Sequence, residues 1–292
     1  MKNIWIVNHY AMPPQYETRV RNNAMAKYLI QKGYTVKIFS ASTIHNTSIN
    51  LINDRKTLFI EKTYDGLDFV HVRTSDYHDN GIARVINMLQ FPLRFIRVAR
   101  KMDDMPDIIL CDLEAIFAWS PYFVARKSGA GFILEVRDLW PESIADFHGI
   151  SRNNPLMLVL YRLEKWIYEK ADKIIFSMEG GRDYIVDKGW DTDVDLSKVY
   201  HVNNGVDLEL FYHNKSYYDV NDEDLDDDGV FKVVYTGSVR QANDVSRIVD
   251  AAYVVKAKGH DDIRFLIYGD GPARENLEKY CAAKGIDNVV FK

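Results

Sequence analysis

The chain has 292 residues, 47% hydrophobic and 27% charged, with a formal net charge of −5. That balance excludes a disordered chain, suggests about two domains at roughly 150 residues each, and leaves no global basic field to gather nucleic acid. Cys111 and Cys281 lie far apart without CxxC or Cys/His spacing, which argues against a zinc site and for a reducing cytoplasm. No apolar stretch approaches the ~18–20 residues of a spanning helix, so any membrane contact is expected to be peripheral.

The opening apolar run, Ile4 to Val7, is far shorter than a signal-peptide core and predicts a first strand. A loop with Pro13 and Pro14 follows, then a helix over about 19–32 that stops at Gly33, then a strand over 35–40. This β-loop-α-β unit implies a parallel sheet. The alternation continues with strands over 68–72, 108–111, 132–136, 173–177 and 200–203. Helices are expected over 82–102, near 115–127, and over 155–170 and 181–188. Runs such as Ile108-Ile109-Leu110 and Ile174-Ile175-Phe176 suit a sheet covered on both faces, so the first domain, 1–212, reads as doubly wound.

Between Asp219 and Asp228 stand seven carboxylates in ten positions, and 213–229 reads as a solvated acidic linker. A second βαβ pattern starts near Phe231, with a helix over about 245–258, a strand over 265–268, a helix over 273–284 and a last apolar run to Phe291. The fold class is therefore α/β, with two Rossmann-like doubly wound domains. The second, 230–292, is expected to be incomplete: a lobe that small buries only about 60% of its unfolded surface and ends on an uncovered strand.

Open α/β sheets place ligands at the carboxyl ends of their strands. After Tyr235 the chain runs Thr236-Gly237-Ser238-Val239-Arg240-Gln241-Ala242-Asn243-Asp244. A permissive glycine, a hydroxyl, a guanidinium and a helix N-terminus there suit a diphosphate cradle. A plain strand-to-helix turn, with Asp244 as N-cap and Arg240 in solvent, fits the spacing as well. The turn Gly269-Asp270-Gly271-Pro272 lacks the full GxGxxG fingerprint. In the first domain, Arg137-Asp138-Leu139-Trp140-Pro141-Glu142-Ser143 leaves a strand at the same edge, either to pin a sugar or phosphate or to form an ion pair that fixes the loop. Tyr16, Glu17 and Arg21 follow the first strand on that side.

Four segments in chain order carry a resemblance. They are Asn8-His9-Tyr10 with Pro13-Pro14 and Arg21, the stretch from Leu134 to Ser143, Asn203-Asn204-Gly205-Val206-Asp207 with Phe211, and Tyr235-Thr236-Gly237-Ser238 with Tyr268-Gly269-Asp270-Gly271-Pro272. In this the chain resembles the GT-B glycosyltransferases of family GT4, of the bacterial capsule, O-antigen and exopolysaccharide type. The resemblance implies two lobes facing across a cleft and transfer of a sugar with retention of configuration. It implies a UDP- or GDP-linked nucleotide-sugar donor, no metal or other cofactor, and a polyprenyl-diphosphate-linked glycan acceptor. It places Gly237, Ser238, Arg240 and Asn243 on the donor diphosphate, Gly269 and Gly271 by the nucleoside, and Asp138 with Arg137 by the donor sugar as the catalytic pair. Tyr16, Glu17 and Arg21 fall on the acceptor side.

The chain departs from the family pattern in three places. Gln15-Tyr16-Glu17-Thr18 stands where relatives have a Gly-Gly pair, Asn243 where they have a lysine, and the E-x7-E segment would fall beyond Lys292. Weak donor binding and low turnover by the chain as given are expected from the last.

Over 82–102, Arg84, Arg94, Arg97, Arg100 and Lys101 share a helix with an apolar stripe and no acid. Such a helix can lie on anionic lipid, or pack its stripe on the sheet with its arginines in solvent. The location expected is cytoplasmic, or peripheral on the inner face of the cell membrane. The scattered histidines show no ligand spacing, and there is no GxSxG elbow for a hydrolase. A catalytically silent scaffold fragment and an NAD-dependent or nucleotide-sugar-modifying enzyme are the alternative readings.

Overall fold

Strands that are apolar on both faces need helices on both faces, and the first unit of the chain is built that way. The computed structural model describes residues 1–16, 21–45, 47–77 and 81–292. The chain divides into two compact units, Met1–Asp207 and Leu208–Lys292.

The first unit runs β1 (Asn3–Val7), α1 (Arg21–Gln31), β2 (Thr35–Ala41), β3 (Phe59–Tyr64), β4 (Leu67–Val72), α2 (Ile82–Ala99), β5 (Ile108–Cys111), α3 (Trp119–Ser128) and β6 (Gly131–Val136). It continues with α4 (Glu142–His148), α5 (Pro155–Lys170), β7 (Lys173–Phe176), α6 (Gly181–Asp187) and β8 (Val199–His201). Eight strands form one sheet in the order β3-β4-β2-β1-β5-β6-β7-β8. Alternation along β1 sends Trp5 and Val7 into one core with Phe39, Phe95, Phe132 and Ile167, and Ile4 and Ile6 into a second with Ala26, Ile38 and Phe69.

Parallel pairing holds except at one edge, where β3 runs antiparallel to β4. The sequence reading has no strand there. The hairpin turns on Asp65 and Gly66, both at positive φ (49° and 77°), the Asp-Gly pair that a two-residue turn favours. Its strand is not legible in the sequence because Glu61-Lys62-Thr63 separates Phe59-Ile60 from Tyr64 and leaves no long apolar run. Two helices also differ from expectation. Over 82–102 the helix stops at Ala99 with Arg100 as cap, and the segment near 115–127 opens as a short 3-10 turn before α3.

The second unit comprises α7 (Leu208–Tyr217), α8 (Glu223–Asp226), β9 (Phe231–Thr236), α9 (Ser246–Ala257), β10 (Ile263–Tyr268), α10 (Arg274–Lys284) and β11 (Val289–Phe291). Its strands are parallel in the order β11-β10-β9 around a core of Val239, Val249, Phe265, Ile267 and Cys281. The acidic stretch is not simply solvated. Asp222 accepts from the Tyr268 hydroxyl at 2.7 Å and from Lys292 Nζ at 2.8 Å, and Asp224 pairs with Arg264 at 3.1 Å. The Lys292 ammonium holds the Asp222 carboxyl down to about 2. Clustered like charges persist there because cations of the same unit meet them.

Glu164 on α5 is fully buried and accepts from the Tyr168 hydroxyl at 2.8 Å and the Tyr184 hydroxyl at 2.9 Å. Burial pushes its carboxyl up from 4.5 to about 8. The folded chain therefore keeps a proton that the unfolded chain releases, and stability falls as pH rises through that window. Glu164→Gln is expected to remove this slope and to raise stability near the top of the window by a few kcal/mol, on the order of 3. Thermal melts at about pH 5 and about pH 8 check it, since an equal gain at both would contradict the reading.

Candidate functional site

In the first unit the chain turns back at β1: β2 and β4 lie on one side of it, β5 and the later strands on the other. Such a switch point opens a crevice at the carboxyl ends of the strands. Asn8 leaves β1 there, Asp112 leaves β5, and Glu135, Arg137 and Asp138 sit at the end of β6. Asn8 Nδ2 donates to Asp112 Oδ2 at 2.5 Å, and an Arg137 guanidinium nitrogen lies 2.7 Å from the same oxygen. Burial pushes the Asp112 carboxyl up while Arg137 pulls it down. Glu114, next along the loop, is likewise raised by burial.

Arg21, at the start of α1, reaches the buried Glu135 with Nε at 2.5 Å from Oε1. Its other nitrogens donate to the carbonyls of Val202 at 3.2 Å and Asn203 at 3.1 Å and to Asn204 Oδ1 at 2.9 Å. One side chain thus ties α1 to the ends of β6 and β8. Asn8, Tyr10, Asp112, Glu114, Arg137 and Asp138 line a recess of about 50 Å³ at this edge. Beside it, Arg84 donates to the Tyr10 hydroxyl at 3.1 Å, and His45 Nδ1 meets the Tyr77 hydroxyl at 2.8 Å. Behind them His9 is held down to about 3 by burial and then by Arg84.

Of the residues expected on this side, Arg21, Arg137 and Asp138 come together. Arg137 pairs with Asp112, not with Asp138, which stays exposed at the recess. Tyr16 lies half-buried in the turn closed by its N–H on the Pro13 carbonyl at 2.9 Å, and Glu17 falls outside the described residues. Sequence reasoning missed Asp112 and Glu114. The available signal was a carboxylate directly after a buried apolar strand, Ile108-Ile109-Leu110-Cys111.

In the second unit the chain after β9 continues beside the chain after β10. Gly237 N–H donates to the Tyr268 carbonyl at 3.0 Å and Val239 N–H to the Asp270 carbonyl at 2.9 Å. A Cβ on Gly269 would stand 1.8 Å from the Gly237 carbonyl oxygen, and one on Gly271 2.4 Å from that of Val239. Both glycines are thus required by backbone packed on backbone. The Tyr235 hydroxyl donates to the Ser238 carbonyl and accepts from Asn243 Nδ2, both at 3.0 Å, so Asn243 braces the turn.

Asp244 sits at φ +46° and is held by Ser246 at 2.6 Å and Arg247 at 2.5 Å. The residue that caps α9 is Val245. Neither α9 nor α10 has a side-chain cap at its N-terminus. Both starts open on one recess of about 520 Å³, lined by Arg240, Val245, Ser246, Pro272, Ala273 and Asn276. Arg240 is exposed, and its guanidinium has no partner among the described residues. A guanidinium and two uncapped helix starts make this recess a place for an anion.

Among the described residues no group of three or more His, Cys, Asp or Glu is placed to hold a metal ion, and no helix is long and apolar enough to cross a membrane.

The sequence model of the family described as Glycosyltransferase Family 4 matches residues 20–210. The chain belongs to that family. It is a glycosyltransferase, and solved structures share its fold. The alpha,alpha-trehalose 6-phosphate synthase from Burkholderia multivorans superposes with a TM-score of 0.67 at 13% identity, over 99% of this chain and 72% of that one. The trehalose-6-phosphate protein from E. coli bound with UDP-2-fluoro glucose gives 0.63 at 11%, over 99% and 73%. WaaG, a glycosyltransferase involved in lipopolysaccharide biosynthesis, gives 0.58 at 10%, over 99% and 69%. A search of curated sequences finds no match. The expected fold class, α/β of the GT-B type, agrees with these likenesses.

Gly269→Ala in this glycosyltransferase is expected to drive the two turns of the second unit apart and cost about 1–3 kcal/mol. Gly180→Ala, where a Cβ meets nothing within 4 Å, should be near neutral. Thermal or urea melts of the two variants check the contrast.

Proposed function

We propose that this glycosyltransferase takes its sugar from a UDP- or GDP-linked donor whose diphosphate lies in the recess between the starts of α9 and α10. The observation that carries the reading is the convergence of Arg240 with two uncapped helix N-termini on that single recess. Donor cleavage leaves a nucleoside diphosphate whose negative charge grows as the bond from C1 to the phosphate oxygen breaks. Fixed donors aimed at that charge lower the barrier without a metal. Arg240 supplies the full charge, Ser238 a hydroxyl, and Gly237 lets the backbone come close. Asn243 acts through Tyr235, keeping the turn in shape.

In this reading the first unit supplies the acceptor side. Asp138 accepts from a hydroxyl of the transferred sugar, and Arg137, anchored on Asp112, fixes the strand exit that presents it. The acceptor hydroxyl attacks C1 from the face the diphosphate leaves, its proton passes to the departing phosphate oxygen, and the configuration is retained. The acceptor is a lipid-linked glycan of surface polysaccharide assembly. The enzyme works at the inner face of the membrane, with the basic helix α2 toward the lipid.

Arg240→Gln is expected to weaken binding of UDP- or GDP-sugars roughly 10- to 100-fold, the worth of a hydrogen-bonded charge. Asp138→Asn should leave binding of the free nucleoside diphosphate, which has no sugar for it to hold, unchanged and lower transfer. Titration calorimetry measures the first and product formation the second. Binding of no nucleoside diphosphate, or equal binding by Arg240→Gln, would overturn the assignment.

A further inference from the structure

Helix α2 is apolar on two faces. One face, with Phe91, Phe95 and Val98, is buried in the core. A helix that covers a core on one side is ordinarily polar on the other. Here the outward face carries Ile82, Val85, Ile86, Leu89 and Leu93, each between 46% and 80% exposed. At Ile96 the stripe enters an open groove of about 640 Å³ between α2 and α3, floored by Ala99, Met105, Phe123 and Val124. Contiguous exposed apolar surface of this kind marks a binding face.

Its rim identifies the occupant. Arg100 and Lys127 stand on the groove, both exposed, and Arg97 is exposed one turn before Arg100. None of the three has a side-chain partner among the described residues. Neither α2 nor α3 contains an acid, although the whole chain is net negative. The nearest carboxylates along the chain are Asp103 and Asp104, and Asp104 is 3.6 Å from Lys37 of β2. The other cations of the two helices are committed elsewhere: Arg84 donates to the Tyr10 hydroxyl at 3.1 Å, Arg94 to the Arg73 carbonyl at 2.6 Å, and Arg126 pairs with Asp172 at 2.8 Å.

An apolar trough with unpaired cations at its lip matches an amphiphile whose head is anionic and whose tail is hydrocarbon. We infer that the α2–α3 groove is a binding site for an anionic phospholipid of the membrane surface, its acyl chain against Ile96 and Phe123 and its headgroup phosphate at Arg100 and Lys127. The site lies at the C-terminal ends of both helices, which in a parallel crossover is the sheet edge opposite the Asp112 recess. It therefore holds the enzyme to the bilayer, apart from the residues that handle the sugar. The choice of a bilayer lipid rests on the membrane-surface reading above, whereas the groove and its rim do not.

Flotation of the full chain with phosphatidylcholine vesicles, with and without phosphatidylglycerol, tests the site. Binding is expected only with phosphatidylglycerol and should fall with salt. The double variant Arg100→Gln with Lys127→Gln should bind roughly 25-fold more weakly, about fivefold per charge. Leu93→Ser with Phe123→Ser should lose binding even at low salt, with circular dichroism unchanged. Equal binding by wild type and variants, or equal binding to neutral vesicles, would overturn the inference. So would a vesicle-free dimer that Leu93→Ser with Phe123→Ser dissociates, because a second copy would then be the occupant. Donor calorimetry on the wild-type chain keeps the readings apart: no flotation of the wild type with intact donor binding sinks the lipid site alone, and flotation as expected with no donor binding sinks the donor-recess assignment alone.

Discussion

A carboxylate sealed inside the carboxyl edge of a parallel sheet needs a cation or donors brought to it, and Glu135 has Arg21. Removing one partner of such a buried pair leaves an uncompensated charge, which is far more costly than never having built the pair. Because Arg21 also donates to the carbonyls of Val202 and Asn203, the same guanidinium fixes where β8 ends relative to β6. The Asn8, Asp112 and Arg137 set then has a rigid floor. Arg137 is oriented by Asp112, and Asp138 is left exposed beside it.

The second unit solves the matching problem with almost no buried charge. Its two strand exits lie so close that glycine is the only residue that fits at 269 and 271. That close approach brings the starts of α9 and α10 to a shared opening. Neither helix start has a side-chain cap, although backbone carbonyls take several of the first N–H groups, among them those of Arg247, Ile248 and Arg274.

The α2 helix carries two apolar stripes. Its inner stripe is required by the core, and its outer stripe stays exposed among the described residues. Neighbouring α3 matters as much as α2 itself, since Phe123 and Lys127 complete a groove that neither helix forms alone.

Periodicity and punctuation determined the alternating α/β order and the strand exits that carry polar residues, because these depend on neighbours along the chain. The family resemblance was legible in short strand-end motifs for the same reason. Other features depend on which strands become neighbours and at what register, and only the tertiary structure decided them. It sent Arg137 to Asp112, across the β5–β6 register, and not to the adjacent Asp138. It made Gly269 a packing residue through a carbonyl 32 positions earlier in the chain. It folded part of the acidic stretch onto Lys292 and Arg264. Coulomb attraction and van der Waals exclusion act through space over a few ångströms, and sequence separation does not report those distances.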